Sequence, residues 1–369
     1  MSTFQLEIQL IAVLTAVACA LPGVFLVLRR MTMLSDAISH TVLLGIVIGF
    51  FLVEDLASPL LVFGAAAMGV LTVSLVTLIE RTRLVKEDTA IGLVFPALFS
   101  IAVILISRYA GDVHLDTDAV LVGELALAPF DRFYRFGLDV GPRGLYLMGG
   151  ILLFNALFIG LFYKELKLST FDAGLALTLG FAPLFLHYGL MTLVSLTVVG
   201  AFDIVGSVLV VALMVAPPAA AYLLTDRLAT MLGLSALLGA ASALGGYWLA
   251  HFLDASIAGS MATMSGLIFG LVYLLAPQRG LLAIARRRNR QKWDFAQTML
   301  VIHLLNHEGS PVEAEENSLD HLSDHIRWQP EFAARVVRYA QRHDLIRVEN
   351  RHMRLTGEGR MLAQQAVIR

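Results

Sequence analysis

Charge is scarce in this chain. Only 15% of its 369 residues are Asp, Glu, Lys or Arg, while 57% are hydrophobic. Soluble domains carry about 25% charged and about 45–50% apolar residues, so the composition excludes an ordinary soluble protein and points to an integral membrane protein. There is one cysteine, Cys19, which excludes an intrachain disulfide framework; set in an apolar run, it reads as a small core residue. The four lysines, Lys86, Lys164, Lys167 and Lys292, all lack a preceding glycine. No phosphate-cradling G-x-x-x-x-G-K-[ST] loop is therefore present, and if the chain does work at the expense of ATP, the hydrolysing engine is another subunit. The start, MSTFQLEIQL, has no basic region ahead of its apolar run, so a cleaved signal peptide is not expected and the first span is read as retained.

What is abundant is apolar length. A span needs about 20 mostly apolar residues, and nine stretches qualify: Ile8–Leu28, Ala37–Val53, Leu60–Ile79, Thr89–Ser107, Leu145–Tyr163, Leu184–Val199, Ile204–Leu224, Leu228–Leu253 and Ile257–Ala276. The sixth and seventh are separated only by a short stretch that includes Ala201-Phe202-Asp203. If that is a break at membrane depth instead of an outside loop, the count falls to eight and one terminus changes sides. Loop charge favours nine. One set of alternate loops holds Arg29, Arg30, Arg81, Arg83, Lys86, Lys164, Lys167 and Arg227, whereas the opposite set is poor in Lys and Arg apart from one long, acid-rich loop. The basic set is then cytoplasmic, and Arg286-Arg287-Arg288 puts the C-terminal region there too. Glycines four apart, Gly45/Gly49 and Gly266/Gly270, suit close helix approach.

The second apolar run contains an acid and an imidazole. Asp36 and His40 are four residues apart, hence on one face of a helix. A carboxylate at the bilayer centre costs roughly 2.5–3.5 kcal/mol even on lenient insertion scales. Two readings meet that cost: the pair glues helices together, or it lines a polar path for a cation. Asp oxygen with His nitrogen suits Mn²⁺, Fe²⁺ or Zn²⁺. Asp203 is a weaker candidate, a third polar group in such a path or a cap in an outer loop. His114, Asp116, Asp118 and Glu124, in the acidic loop, are either a solvated charge run or groups that attract cations or meet a delivery protein. After the basic exit Lys164–Lys167, the stretch Ser169-Thr170-Phe171-Asp172 offers N-cap residues ahead of a short amphipathic segment ending at Gly180. It is a docking helix for a partner, or simply a loop between spans.

Five collinear stretches carry a resemblance: LPGVFLVLRRMTMLSDAISHTVLLG, ERTRLVKEDTAIGLVFPALFS, DVHLDTDAVLVGELAL, KELKLSTFDAGLALTLG and MTLVSLTVVGAFDIVGSVLVVALMVAPPAAAYLLTDR. From about Gln5 to Ala276 the chain resembles the membrane permeases of ABC importers for manganese, zinc and iron, most closely the manganese/iron branch. The resemblance implies a dimer of permeases in the bacterial plasma membrane, two ATPase subunits, and an extracytoplasmic protein that delivers the metal. It implies no permanently bound cofactor, the divalent metal being cargo. It also implies that Asp36 and His40 belong to the metal path, and that the segment from Phe171 and Asp172 to Gly180 docks in the ATPase. Two departures stand out: Ala173 where the family usually has proline, and the doubled Pro217-Pro218 where one proline is usual. A proton-coupled secondary transporter and a membrane-tethered metal-responsive regulator are the alternative readings.

Composition changes again near Trp293, beyond a basic linker over residues 281–292. Residues 293–369 read as three helices, a two-stranded ribbon and a last helix, the pattern of a helix-turn-helix with a wing. The stretch HDLIRVENRHMRLTGEGRMLAQQ resembles the winged-helix part of iron- and manganese-dependent repressors of the diphtheria-toxin-repressor type. Arg335, Arg338 and Arg342 would meet phosphates on a recognition helix. The membrane tether and the acids Glu313, Glu315, Glu316, Asp320 and Asp324 argue against nucleic acid as the partner and for a regulatory or protein-contact role. His303/His307 and His321/His325 are i,i+4 pairs, each a metal-capable face or ordinary solvated histidines. The whole is expected to be an all-α polytopic membrane protein of eight or nine transmembrane helices with a small cytoplasmic winged-helix α+β domain.

Overall fold

The computed structural model describes residues 3–53, 58–109, 125–135, 138–318 and 328–368. The chain divides into two compact units, Met1–Gly280 and Leu281–Arg369.

The first unit is helical. Its long helices are α1 (Thr3–Arg29), α2 (Thr32–Val53), α3 (Pro59–Arg81), α4 (Glu87–Tyr109), α5 (Arg143–Leu161), α8 (Pro183–Leu224), α9 (Leu228–Leu253) and α10 (Ile257–Leu275). Between α5 and α8 lie two short helices, α6 (Tyr163–Phe171) and α7 (Ala173–Thr178). The strands β1 (Arg132–Arg135) and β2 (Leu138–Pro142) pair antiparallel just before α5. Among the described residues, eight helices are long and apolar enough to cross a membrane.

Eight helices, within the eight or nine expected, take the place of the nine apolar stretches, and the reason is α8. It has 42 residues, which at about 1.5 Å per residue is about 63 Å, twice the roughly 30 Å hydrocarbon core. It does not run straight. Along its first half the partners climb α1 backwards: His187 lies 3.5 Å from Arg29, Thr197 shares Asn155 with the Ala18 carbonyl, and Ile204 and Ile11 both pack on Gly144. Along its second half the order reverses, and Met214 and Pro218 face Gly23. The turning point is Gly206, at φ 77° and ψ 164°, backbone geometry that a side-chain-bearing residue strongly resists. The chain is helical through Ala201-Phe202-Asp203, where the sequence suggested the break. Because α8 goes and returns, it begins and ends at the Arg29 end of the bundle. There Arg279 binds the Tyr222 carbonyl at 3.0 Å and pairs with Asp226.

Small residues set the closest approaches. A β-carbon on Gly64 would come within 2.7 Å of the Gly45 carbonyl, and Gly49 faces Leu61, so α2 and α3 meet backbone to backbone. Gly266 and Gly270 face open space instead. Pro218 has no N–H to give the Met214 carbonyl four residues back, and Gly23 is where that freed carbonyl packs. The doubled proline therefore shapes the contact of α8 with α1.

The second unit begins with α11 (Leu281–His307), continues through α12 (Glu313–Glu316) and α13 (Pro330–Arg342), and then forms strands β3 (Ile346–Glu349) and β4 (His352–Leu355) and helix α14 (Gly357–Ile368). The stretch 281–292, expected to be a linker, is instead the first part of α11, unbroken into Trp293 and beyond. It contains no glycine or proline to stop a helix. Strands β3 and β4 form a hairpin, with Ile346 opposite Leu355 and Glu349 opposite His352. Its two loop residues, Asn350 and Arg351, have φ of 49° and 69°, the left-handed conformation that matches strand twist in a two-residue turn. Leu300, Val301 and Leu304 of α11 pack with Val336, Ile346, Met353 and Ala363 in one core. The expected second helix of this region, with His321 and His325, lies outside the described residues.

Candidate metal path and coupling face

Helix α1 ends at Arg29, and α2 starts three residues later. Arg30 takes φ 62°, and the Met31 N–H reaches back to the Leu26 carbonyl at 2.9 Å. This left-handed cap closes α1 and reverses the chain in minimal length. Asp36 and His40 lie on α2, within its first turns. His40 Nε2 stands 3.6 Å from Asp36 Oδ1. That exceeds hydrogen-bond range and is close to the about 3.4 Å that separates two ligand atoms on a tetrahedral divalent ion. Both side chains are partly open, 45% for Asp36 and 28% for His40. The imidazole is backed by α4, with ring centroids 5.2 Å from Phe95 and 5.9 Å from Phe99.

The hydroxyls that flank the pair, on Ser35, Ser39 and Thr41, are occupied. Ser39 Oγ donates to the Ser35 carbonyl at 2.9 Å, and Thr72 Oγ1 of α3 donates to Thr41 Oγ1 at 2.8 Å. The pair is thus a half-open acid–imidazole couple between hydroxyls that are already engaged. It can lend one oxygen and one nitrogen to an ion, leaving further positions for water or another chain.

Asp203 does not join them. It is exposed on α8 beside Ile204, which packs near Ile11, whereas Asp36 comes just after the Arg29 turn. The outer-loop candidates His114, Asp116, Asp118 and Glu124 lie outside the described residues.

The Phe171–Gly180 segment is an elbow of two helices. Asp172 Oδ1 accepts from the Leu175 N–H at 2.9 Å and so caps α7. Ala173 stands at the first helical position, where proline is tolerated but not required, so the cap alone starts the helix. Gly180, at φ 83°, ends it, with the Phe181 N–H bonded to the Ala176 carbonyl at 3.0 Å. Phe171, Leu175, Leu177 and Leu179 are all exposed. This is an apolar knob held by a defined backbone.

Arg29 ties the base of the knob to α1 and α8. Its guanidinium donates to Thr170 Oγ1 and Ser169 Oγ, each at 3.2 Å, and lies 3.5 Å from His187 Nδ1. One side chain therefore ties the end of α1, the end of α6 and the start of α8, and stands seven residues before Asp36. Sequence reasoning counts Arg29 only as loop charge and Ser169 and Thr170 only as cap residues. The signal available is an arginine closing an apolar run, with a pair of hydroxyls, Ser169 and Thr170, just after another basic exit, Lys164–Lys167.

A bundle of eight long apolar helices with a partly open acid–imidazole pair and an exposed apolar elbow is the architecture of a multi-pass membrane permease. Residues 1–276 match the profile of the ABC 3 transport family, and the chain belongs to that family. Over 359 residues it is 50% identical to the zinc transport system membrane protein TroD of Treponema pallidum (strain Nichols), covering 97% of this chain and 98% of that relative. It is 47% identical over 291 residues to the manganese transport system membrane protein MntD of Bacillus subtilis (strain 168), covering 79% of this chain and 98% of that relative. Among solved structures, PsaBC from Streptococcus pneumoniae in complex with Fab is similar, with a TM-score of 0.64 and 28% identity over 77% of this chain and 96% of that one.

Proposed function

We propose that this chain is the permease subunit of an ATP-driven importer of a divalent transition metal, with Mn²⁺ first and Zn²⁺ or Fe²⁺ as alternatives. The observation that carries the reading is the Asp36–His40 couple: two metal-capable ligands held 3.6 Å apart on an intramembrane helix and left partly open. Relatives named for zinc, manganese and iron transport support it. The basic end of the bundle, with Arg29, Arg81, Lys164 and Lys167, faces the cytoplasm. The fold-back of α8 keeps the chain's exit to the second unit at that end, so residues 281–369 are cytoplasmic, and their winged-helix resemblance is read as a regulatory module.

Two ligands from one chain do not complete a coordination shell. A second permease subunit presenting the same face would supply two more, with water filling the rest. The Phe171–Gly180 knob docks on the ATPase subunit, and Arg29 passes its displacement to α1, α8 and the start of α2. The metal arrives from an extracytoplasmic binding protein at the opposite end. Oxygen and imidazole ligands bind Zn²⁺ more tightly than Mn²⁺, so the pair is a waypoint and selection lies upstream. The test is radiolabelled Mn²⁺ and Zn²⁺ uptake by Asp36→Ala and His40→Ala in complexes that assemble normally. Wild-type rates in both variants would reduce the pair to helix glue. Uptake that survives loss of ATP hydrolysis but collapses with the proton gradient would favour a secondary transporter instead.

A further inference from the structure

A second set of metal-capable side chains lies in the second unit, far along the sequence from the path. His303 and His307 occupy the last turn of α11, one above the other, with ring centroids 4.7 Å apart. After α11 the chain turns through Gly309, at φ 73°. This turn is held by Ser310 Oγ donating to the His307 carbonyl at 2.8 Å and by the Gly309 N–H donating to Glu313 Oε2 at 2.7 Å. The short helix α12 then carries Glu316 back to the histidines. One ligand atom from each of His303, His307 and Glu316 lies within 4.8 Å of the others, and all three residues are half-buried.

We propose that His303, His307 and Glu316 form a Zn²⁺-class divalent metal site that senses the imported metal. Two imidazoles and a carboxylate are a three-ligand zinc set that leaves one position open. Mn²⁺ and Fe²⁺ bind the same set more weakly. The helix geometry adds to the donors, because a cation at the C-terminal turn of α11 meets the negative end of the helix dipole. His303 Nε2 lies 3.3 Å from the Glu316 carbonyl, the kind of backbone partner that fixes the ring of a metal-ligating histidine. The site also reaches the hairpin: the next carbonyl, Asn317, accepts the Met353 N–H at 2.9 Å, and Ser318 bridges to His352. An ion here would lock residues 313–318, which bond to β4, onto α11, converting metal occupancy into order along β4. The sensing role rests on the importer reading; the site itself does not.

The experiment uses full-length protein purified in detergent, stripped with chelator, and carrying Asp36→Ala and His40→Ala so that the path does not contribute. Equilibrium dialysis with Zn²⁺ is then compared with and without Glu316→Gln or the pair His303→Ala/His307→Ala. Each of these changes is expected to remove one bound equivalent per chain, and Zn²⁺ is expected to slow amide exchange over 308–318 and β4 only where the site is intact. Equal Zn²⁺ stoichiometry in the Glu316→Gln protein, together with unchanged exchange on adding metal, overturns the site. Failure of the importer reading is seen separately, in the uptake of path variants.

Discussion

Two polar positions inside the bundle satisfy the cost of burying polar atoms in opposite ways. Asn155 of α5 is fully buried, and its amide donates both to the Ala18 carbonyl at 3.0 Å and to Thr197 Oγ1 at 2.9 Å, tying α1, α5 and α8. Asp36 and His40 are partly open and stand 3.6 Å apart, with no direct hydrogen bond between them. The first arrangement spends both amide N–H donors on the fold. The second keeps its capacity available for something that comes and goes. The contrast sets the proposed path beside a structural tie, and it can be broken by substitution.

The largest effect is expected at the pair. Asp36→Ala or His40→Ala should lower metal uptake by at least the roughly 10–100-fold that even outer-shell substitutions cost metal sites, with the thermal stability of the purified complex unchanged. Uptake assays in vesicles beside melting curves check both halves. If stability falls as uptake does, the pair belongs with Asn155 as glue. Arg29→Ala comes next. It removes charge-assisted hydrogen bonds worth about 1.5–3 kcal/mol each, so uptake per ATP hydrolysed should drop about tenfold or more, tenfold corresponding to about 1.4 kcal/mol. Arg29→Lys should recover little, because an ammonium cannot reach Ser169 and Thr170 with a planar fork. Unchanged coupling in Arg29→Ala would remove the mechanical link proposed between knob and pair.

How far these sites are legible in the sequence depends on what each is made from. Asp36 and His40 stand out because an acid and an imidazole at i,i+4 interrupt an apolar run, a local signal. The Phe171–Gly180 elbow is legible through its cap residues. Arg29 as a three-way tie is not, because its partners lie 140, 141 and 158 residues away and nothing local announces them. The fold-back of α8 is half legible. Loop charge requires an even number of crossings between Lys167 and Arg227, yet the polar Asp203 draws the eye for the break, whereas backbone freedom places it at Gly206. The metal triad of the second unit is visible as two histidines, but Glu316 enters only through the Gly309 turn.

Asn155 should show the reverse of the pair. Asn155→Ala leaves the Ala18 carbonyl without its side-chain donor and opens a small void, costing about 1–3 kcal/mol of stability, while uptake per correctly folded complex stays at the wild-type level. Denaturant or thermal unfolding in detergent, normalised against uptake, is the measurement. A large loss of uptake in well-folded protein would show that a buried polar group tied into the fold also serves the metal, and the distinction between glue and path would fail.

The smallest effect concerns a second acid–base pair, closed where Asp36–His40 is open. Arg132 of β1 pairs with Asp139 of β2 and also with Glu7 of α1 at 3.3 Å. The hydrogen bond from Arg132 holds the Asp139 carboxyl below the ordinary carboxylate range, helped by the Gly141 N–H and only partly opposed by desolvation. A group whose folded pKa is lowered contributes stability above its unfolded value, about 3.9 for Asp, and loses it as pH falls through the folded value. Amide exchange in β1 and β2 should therefore be slow and flat with pH-corrected rates near neutrality, and should rise below about pH 4. Asp139→Asn should already exchange faster at neutral pH and show less of the acid-dependent rise. Both side chains are solvent-accessible, so the difference is small and confined to the hairpin, and uptake at neutral pH should be unaffected. On the proposed reading, a closed pair at the β1–β2 hairpin bears on local stability and the open pair on α2 bears on transport; an uptake defect in Asp139→Asn would contradict that assignment.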